Sequence, residues 1–361
     1  MMSLQKYADS CINCRKCIDV CPIVIATENE NFSPQSKLRL LSRIEANESI
    51  SEEDIDNVYL STRCGACDAV CPINIPITSI IQRERQLLSE QGLEPQRTGQ
   101  IVQNILERNV PGHMDDSNRF DWVSDDLELS EKSDVAYMGG CWASFAHPEI
   151  ARDTIRLLNA AGVKPMLLAE EKCCGLFLID NGHLDDAALH AEKYVTYIES
   201  LGVTKLIVSC PGCYEVLGKQ YPLLFRKSSF EVILSSFLFK EMIDKGILVP
   251  KKGEGKVALR DACPLREDWE IFRDIIFSLG FDTDELFETN MCCGAPAGVK
   301  PNYPEVSKKV AMLTIEKAKK KNVKLISYCP FCLYHLEGTC KECGETLDMQ
   351  DITSLIAERV L

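Results

Sequence analysis

Nineteen cysteines in 361 residues, ten of them in a spacing that occurs twice, constrain this chain more than any other feature. Cys141, Cys173, Cys174, Cys210 and Cys213 follow C-x31-CC-x35-C-x2-C, and Cys263, Cys292, Cys293, Cys329 and Cys332 follow C-x28-CC-x35-C-x2-C. The adjacent pairs and the C-x2-C pairs are each offset by 119 residues, so two similar halves stand in tandem. Cysteines serving only as small core residues would not reproduce a 35-residue gap twice. Residues 1–10 lack a basic start followed by an apolar stretch, so the chain is expected to be intracellular. In a reducing compartment an odd total of cysteines points to metal ligation or redox chemistry, not to a disulfide framework.

Each half has one rhythm of elements. Residues 135–138 read as a strand ending near Cys141, 148–161 as a helix opened by Pro148, and 166–168 as a strand leading to Cys173 and Cys174. A helix over 185–201 follows, with Ala188, Ala191, Val195 and Ile198 on one face, and then a strand over 206–209 that ends at Cys210. The second half repeats this with strands over 257–260 and 325–328 and a helix carrying Val306, Val310 and Leu313. Alternating strands and helices imply α/β halves with parallel sheets, whose ligands collect beyond the carboxyl ends of the strands, where the cysteines stand. Before Asp134 the pattern is helical, with helices over 36–46 and 95–109 and an acid-rich connector over 111–134; a connecting helix over 230–246 joins the halves. The expected domains are therefore 1–133, 134–250 and 251–361.

Within the helical region, Cys11-x2-Cys14-x2-Cys17-x3-Cys21-Pro22 is the run by which a ferredoxin wraps a [4Fe-4S] cubane. A zinc knuckle would use paired C-x2-C units instead. Crossed ligation places Cys11, Cys14, Cys17 and Cys71 on one cluster. The second run, Cys64-x2-Cys67-x3-Cys71-Pro72, has Ser61 where its first cysteine belongs. Cys21, Cys64 and Cys67 then hold three irons, and the fourth corner is absent, serine-ligated or labile, giving a [3Fe-4S] or a weakly cornered [4Fe-4S] cluster.

Five cysteines per half exceed the four a cubane needs, and adjacent cysteines suit a less regular cluster. The two halves resemble the cysteine-rich CCG domains of the heterodisulfide reductase catalytic subunit family, in the fused form where an α-helical two-cluster ferredoxin domain precedes tandem CCG domains. The resemblance is carried by Gly140-Cys141, Pro148 to Arg152, Lys172-Cys173-Cys174-Gly175, Ser209-Cys210-Pro211-Gly212-Cys213-Tyr214, Met291-Cys292-Cys293-Gly294 and Cys329-Pro330-Phe331-Cys332. It implies that each set of five cysteines holds a noncubane [4Fe-4S] cluster and that a small-molecule disulfide is reduced to two thiols between them. The implied substrate is the coenzyme M/coenzyme B heterodisulfide of methanogenesis, with Arg260, Arg266 or Lys300 as candidate cations for its anionic groups. The implied partner is an electron-donating subunit: a flavoprotein, a hydrogenase or formate dehydrogenase module, or a membrane cytochrome b. The rival is an electron-transfer iron–sulfur subunit of a flavin-dependent dehydrogenase of the glycolate, lactate or glycerol 3-phosphate type. The chain departs from the family at Ser61, at Arg260-Asp261-Ala262-Cys263 and at Ala295-Pro296-Ala297.

The remaining features exclude more than they suggest. With 40 Lys plus Arg against 54 Asp plus Glu and no basic tract, nucleic acid is not an expected partner. No apolar run approaches the roughly 18 residues that cross a bilayer, so a cytoplasmic location is expected, with membrane association only through a partner. Gly253-x-Gly255-x-x-Ala258 precedes a strand instead of following one and reads as a turn, so no flavin or nicotinamide site is expected. His147 and His183 are candidate proton donors. Cys340 and Cys343 read as spare thiols, a separate metal site or a redox pair.

Overall fold

A computed structural model describes residues 3–287 and 291–361. They form two compact units that do not follow chain order: residues 1–103, 177–185 and 287–316 make one, and 104–176, 186–286 and 317–361 the other.

The first unit is helical. Short helices Lys16–Asp19 and Ala66–Ala69 each follow a left-handed residue, Arg15 (φ 67°) or Gly65 (φ 74°), and each precedes a Cys-Pro step. Asn13 and Arg63 are also left-handed, so two loops related by an offset of 50 residues have one backbone path. In that correspondence Ser61 takes the place of Cys11. Helix α1, Ile77–Glu90, lies under both loops, burying Ile77, Ile80, Ile81, Glu84, Arg85 and Leu88. The expected helix over 36–46 is two helices, Pro34–Leu38 and Leu41–Glu45.

The second unit holds two four-stranded parallel sheets. Strands β1 (Val135–Met138), β2 (Met166–Leu167), β3 (Lys205–Val208) and β4 (Glu231–Leu234) lie in the order β2-β1-β3-β4. Strands β5 (Lys256–Arg260), β6 (Asp282–Thr283), β7 (Lys324–Ser327) and β8 (Met349–Asp351) repeat it as β6-β5-β7-β8. In register, Tyr137 pairs with Ile207 and Leu259 with Ile326, and continuous apolar runs such as Leu206–Val208 suit strands covered on both faces. The helices that position the site are α2 (Gly140–Phe145), α3 (Pro148–Ala160), α4 (Leu184–Ser200), α5 (Pro211–Glu215), α6 (Ser235–Asp244), α7 (Trp269–Ser278), α8 (Pro330–Cys343) and α9 (Ile352–Val360). Pro148, Pro211 and Pro330 open their helices, where a missing N–H costs nothing. Helix α3 of the first half packs on α9 of the second, and α6 of the first on α7 of the second.

One expected element is corrected. Residues 230–246 are not a single helix: β4 takes Glu231–Leu234 and α6 begins directly at Ser235. The β-branched pair Val232-Ile233 favours strand, and pairing with β3 decides it.

Candidate functional site

The two ferredoxin-like loops bring their cysteines together in two groups. Cys11, Cys17 and Cys71 pack against one apolar cluster containing Leu41, Ile75, Ile80 and Cys67, which is thus shared with the second group, and Cys14 beside them is exposed. Burial, with the neighbouring Cys11 and Cys14, pushes the Cys17 thiol up to about 11. Cys21, Cys64, Cys67 and Ser61 line a second cavity, together with Lys37, Leu60, Arg63 and Ile81. The Ser61 hydroxyl accepts the Arg63 N–H at 3.3 Å. Lys37 is fully enclosed there and donates to Phe32 O at 2.6 Å and Asn57 Oδ1 at 2.9 Å, and burial lowers its ammonium to about 8. Burial raises the Cys21 and Cys67 thiols, and metal binding is the event that makes such thiols thiolates.

In the second unit the first set of five converges beyond the strand ends. Cys141 opens α2 after β1, Cys173 and Cys174 follow β2, and Cys210 and Cys213 sit at the start of α5 after β3. Their thiols form a chain of hydrogen bonds, Cys141 with Cys173, Cys173 with Cys174, Cys174 with Cys213 and Cys213 with Cys210. Those bonds hold Cys174 and Cys210 below the ordinary thiol range, while Cys141 and Cys213 are pushed above it.

The backbone around the thiols is braced. Glu171, fully buried, accepts Gly139 N at 3.2 Å, Gly140 N at 3.0 Å and Arg119 Nη1 at 3.1 Å. His190 Nε2 lies 2.8 Å from Cys173 O, and the Tyr221 hydroxyl donates to Cys174 O at 2.8 Å. Gly140 has φ +73°, and a Cβ there would stand 3.1 Å from Cys213 Sγ, so the turn leaves room for sulfur and nothing else.

The second set is divided between the units: Cys292 and Cys293 lie in the first, Cys263, Cys329 and Cys332 in the second. Cys329 is hydrogen-bonded to Cys332 and also to Cys210 of the other set. Beside this junction Trp142 stacks on Phe331 at 4.5 Å and on Tyr334 at 4.7 Å, joining α2 to α8. After the second pair, Gly294 (φ +93°) presses on Ser307 and Val310, where a Cβ would meet Ser307 O at 2.7 Å.

The other candidates have plainer surroundings. His183 Nε2 lies 2.8 Å from Glu94 Oε2. His147 lies between Glu149 at 3.0 Å and Glu337 at 3.8 Å. Arg260 is buried and donates to Asp261 O, and the Arg266 guanidinium covers the Trp269 ring. Cys340 is buried and Cys343 exposed at the end of α8, and among the described residues no group of three or more His, Cys, Asp or Glu is set to hold a metal ion there.

Sequence reasoning missed three residues that organise these sites. Glu171 is one, and Trp142 with its stacking partners is another. The third is Arg85, fully buried on α1, which donates to Val58 O, Tyr59 O and Ser61 O through Nη2 and to Asp180 O, Asn181 Oδ1 and Ala297 O through Nη1.

The donor chemistry suits iron–sulfur groups, with the thiols of Cys141, Cys173, Cys174, Cys213 and Cys210 in one chain, an apolar wall against Cys11, Cys17 and Cys71 and a cavity lined by Cys21, Cys64 and Cys67. Among the described residues no group of three or more His, Cys, Asp or Glu is already set to hold a metal ion. No described helix is long and apolar enough to cross a membrane. Comparison with known proteins agrees. A 4Fe-4S dicluster domain matches residues 7–75, and the CCG cysteine-rich domain matches residues 135–218 and 261–337. A dihydromethanophenazine:CoB–CoM heterodisulfide reductase subunit of Methanosarcina acetivorans is 28% identical, covering 97% of this chain and 93% of that protein. The EtfAB:quinone oxidoreductase of Syntrophomonas wolfei is 25% identical over 80% of this chain and 48% of its own length. A hypothetical protein from Helicobacter pylori shares the fold, with a TM-score of 0.63 at 11% identity, covering 96% of this chain and 71% of that one. The chain thus belongs to the iron–sulfur oxidoreductases that join a 4Fe-4S dicluster domain to tandem CCG domains, the arrangement of the fused heterodisulfide reductase catalytic subunits.

Proposed function

We propose that the chain reduces a disulfide to two thiols at paired noncubane [4Fe-4S] clusters. The observation that carries this reading is the contact between Cys210 of one complete five-cysteine set and Cys329 of the other. Cys141, Cys173, Cys174, Cys210 and Cys213 would hold one cluster and Cys263, Cys292, Cys293, Cys329 and Cys332 the other. Cys11, Cys14, Cys17 and Cys71 would hold the first ferredoxin-type cluster, and Cys21, Cys64 and Cys67, with Ser61 at the weak corner, the second. When bound, such clusters supply electrons one at a time, which a disulfide must receive in two steps. The residues around them do the rest: Glu171 and Arg119 fix the turn that carries Cys141, while Trp142, Phe331 and Tyr334 wall the junction.

Energetics permit the direction. A ferredoxin-type donor near −400 mV and a disulfide near −200 mV differ by about 200 mV, roughly 9 kcal/mol downhill for two electrons. The methanogenic coenzyme M/coenzyme B heterodisulfide is the favoured substrate, because the Methanosarcina relative is named for it and matches nearly end to end. An electron-donating subunit, at the membrane or in solution, completes the path. A second reading, a relay passing electrons from a flavoprotein dehydrogenase to a quinone, is favoured by the likeness to the EtfAB:quinone oxidoreductase. An anaerobic assay of the purified chain with reduced viologen against several disulfides, the methanogenic one included, separates them. Disulfide-dependent thiol release supports reduction. Release at the buffer rate with all clusters loaded supports the relay.

A further inference from the structure

Where α3 of the first half packs on α9 of the second, a groove of about 550 Å³ opens, the size of a small-molecule site. Five carboxyl groups from both halves line it: Glu149 and Asp153 on α3, Glu337 on α8, Asp351 at the end of β8 and Glu358 on α9. The arginines beside them are already engaged. Arg156 is held by Asp126 at 2.8 Å and Asp153 at 3.4 Å, and Arg359 by Glu358 at 3.0 Å. Leu333, Met349 and Ala357 add an apolar wall.

Acids alone make a solvated face, but two buried acceptors here lack a donor. His147 is only 6% exposed, and its Nδ1 lies 3.0 Å from Glu149 Oε1, which places the proton of the neutral ring on Nδ1. Its Nε2 has no hydrogen-bond partner and faces Glu337 Oε2 at 3.8 Å. That gap is too long for a hydrogen bond, yet an ammonium nitrogen set about 2.8 Å from each atom donates to both. Gln350 Oε1, on the same wall, is also buried without a partner, while its amide nitrogen donates to Glu358 at 3.4 Å. Both open atoms call for a donor, and the carboxylates favour a cationic one. Among the described residues no three His, Cys, Asp or Glu converge as a metal ion requires, so the charge is spread over four elements. An extended cation with an aliphatic body matches that spread and the apolar wall, and a compact ion does not.

We propose that this groove binds an aliphatic polyamine, with one ammonium held between Glu337 and the open His147 nitrogen, another on the Asp153 carboxylate and the methylene chain along Leu333 and Met349. One ligand then ties α3 of the first half to α8 and β8 of the second, and the site is independent of the redox chemistry. Burial holds the Asp351 carboxyl up at about 7. Burial works against the protonated ring of His147, but the charged groups that face it, Glu149 on α3, Glu337 on α8 and Asp351 at β8, raise it above its ordinary value. A cation set among these groups favours the ionised acid and the neutral ring, so binding near neutral pH releases protons.

The test titrates cluster-loaded full-length protein, under anaerobic conditions in a calorimeter, with spermidine, 1-aminobutane and Mg²⁺ near pH 7 at about 0.15 M salt, in two buffers of different ionisation heat. Spermidine is expected to fill one site, roughly tenfold or more tighter than either other ion, to release protons and to raise Tm. Glu337→Gln and Asp153→Asn should each weaken it by roughly threefold to tenfold, while Glu128→Gln, at an exposed acid paired with Lys164 outside the groove, should change nothing. Mg²⁺ or 1-aminobutane binding as tightly as spermidine, several equal weak sites, or spermidine binding that Glu337→Gln and Asp153→Asn leave untouched would overturn the site. If either variant does not fold, the comparison of the three ions on the wild type decides alone. None of these outcomes bears on disulfide reduction, which the viologen assay reads separately.

Discussion

Replacing Arg85 by Met should destabilise the helical unit severely. The guanidinium is fully buried and has no carboxylate hydrogen-bonded to it among the described residues; its five backbone oxygens and the Asn181 carboxamide oxygen, at 2.7 to 3.3 Å, do that work. Burial lowers it to about 10, so it remains charged at neutral pH. Methionine fills much of the volume but leaves six buried oxygens without a donor. Hydrogen bonds from charged donors are worth about 1.5–3 kcal/mol each, so a literal sum far exceeds what relaxation and entering water allow. Leaving a buried acceptor unsatisfied costs about 1–3 kcal/mol, so with two or so of the six left dry after relaxation the expected cost is ~3–5 kcal/mol. Lysine keeps the charge but brings three donors to one point, so Arg85→Lys should recover about half. Anaerobic urea unfolding of the full chain followed by circular dichroism reads both values. A loss under ~1 kcal/mol for Met, or equal losses for Met and Lys, would show that the fork geometry carries no weight.

Three shorter predictions follow from neighbouring geometry. Ser61→Cys should free the cavity corner from the Arg63 N–H, complete the four-cysteine set, raise iron retention and abolish a three-iron spin signal on mild oxidation; identical iron counts and spectra in both proteins would count against a weak corner. Gly140→Ala should cost roughly 1–2 kcal/mol for a left-handed alanine and push Cys213 Sγ aside, so reconstituted protein should lose iron from the first CCG set while the dicluster spectra persist. Asp351 has a folded value of about 7, above the unfolded carboxylate value near 4, so its contribution to stability is complete below about pH 4 and is lost as pH rises through 7; Asp351→Asn should flatten the fall in Tm between pH 5 and 8.

What the sequence disclosed and what it hid divide by range of interaction. Cysteine spacing, helix-opening prolines and apolar strand runs are local signals, and β1, β3, β5 and β7 lie where they point. Strand β4 was hidden because it abuts α6 with no turn residue between Leu234 and Ser235, so a single apolar stretch reads as one helix. Arg85 was hidden for another reason. Its acceptors lie 24 to 212 residues away in sequence, and a buried arginine has no pattern of its own on α1. Glu171 likewise shows its role only once Gly139, Gly140 and Arg119 surround it.

The choice between reductase and relay turns on what a second complete cysteine set is for. A relay needs centres in series, each close enough to the next, and gains nothing from a cysteine of one set meeting a cysteine of the other, as Cys210 meets Cys329. Cleaving an S–S bond is different, because each sulfur must accept one electron and neither half-reduced product is stable for long. Two one-electron centres facing one bond remove the need to wait for a second delivery. The Cys210–Cys329 contact, flanked by Trp142 on Phe331 and Tyr334, is the arrangement that requirement favours. The two ferredoxin-like loops differ at one position: where the first has Cys11 the second has Ser61, whose backbone carbonyl Arg85 holds. That guanidinium also grips Asp180, six residues beyond Cys174, and Ala297, four beyond Cys293, so the dicluster loops and the chain leaving both adjacent-cysteine pairs are tied to one buried cation.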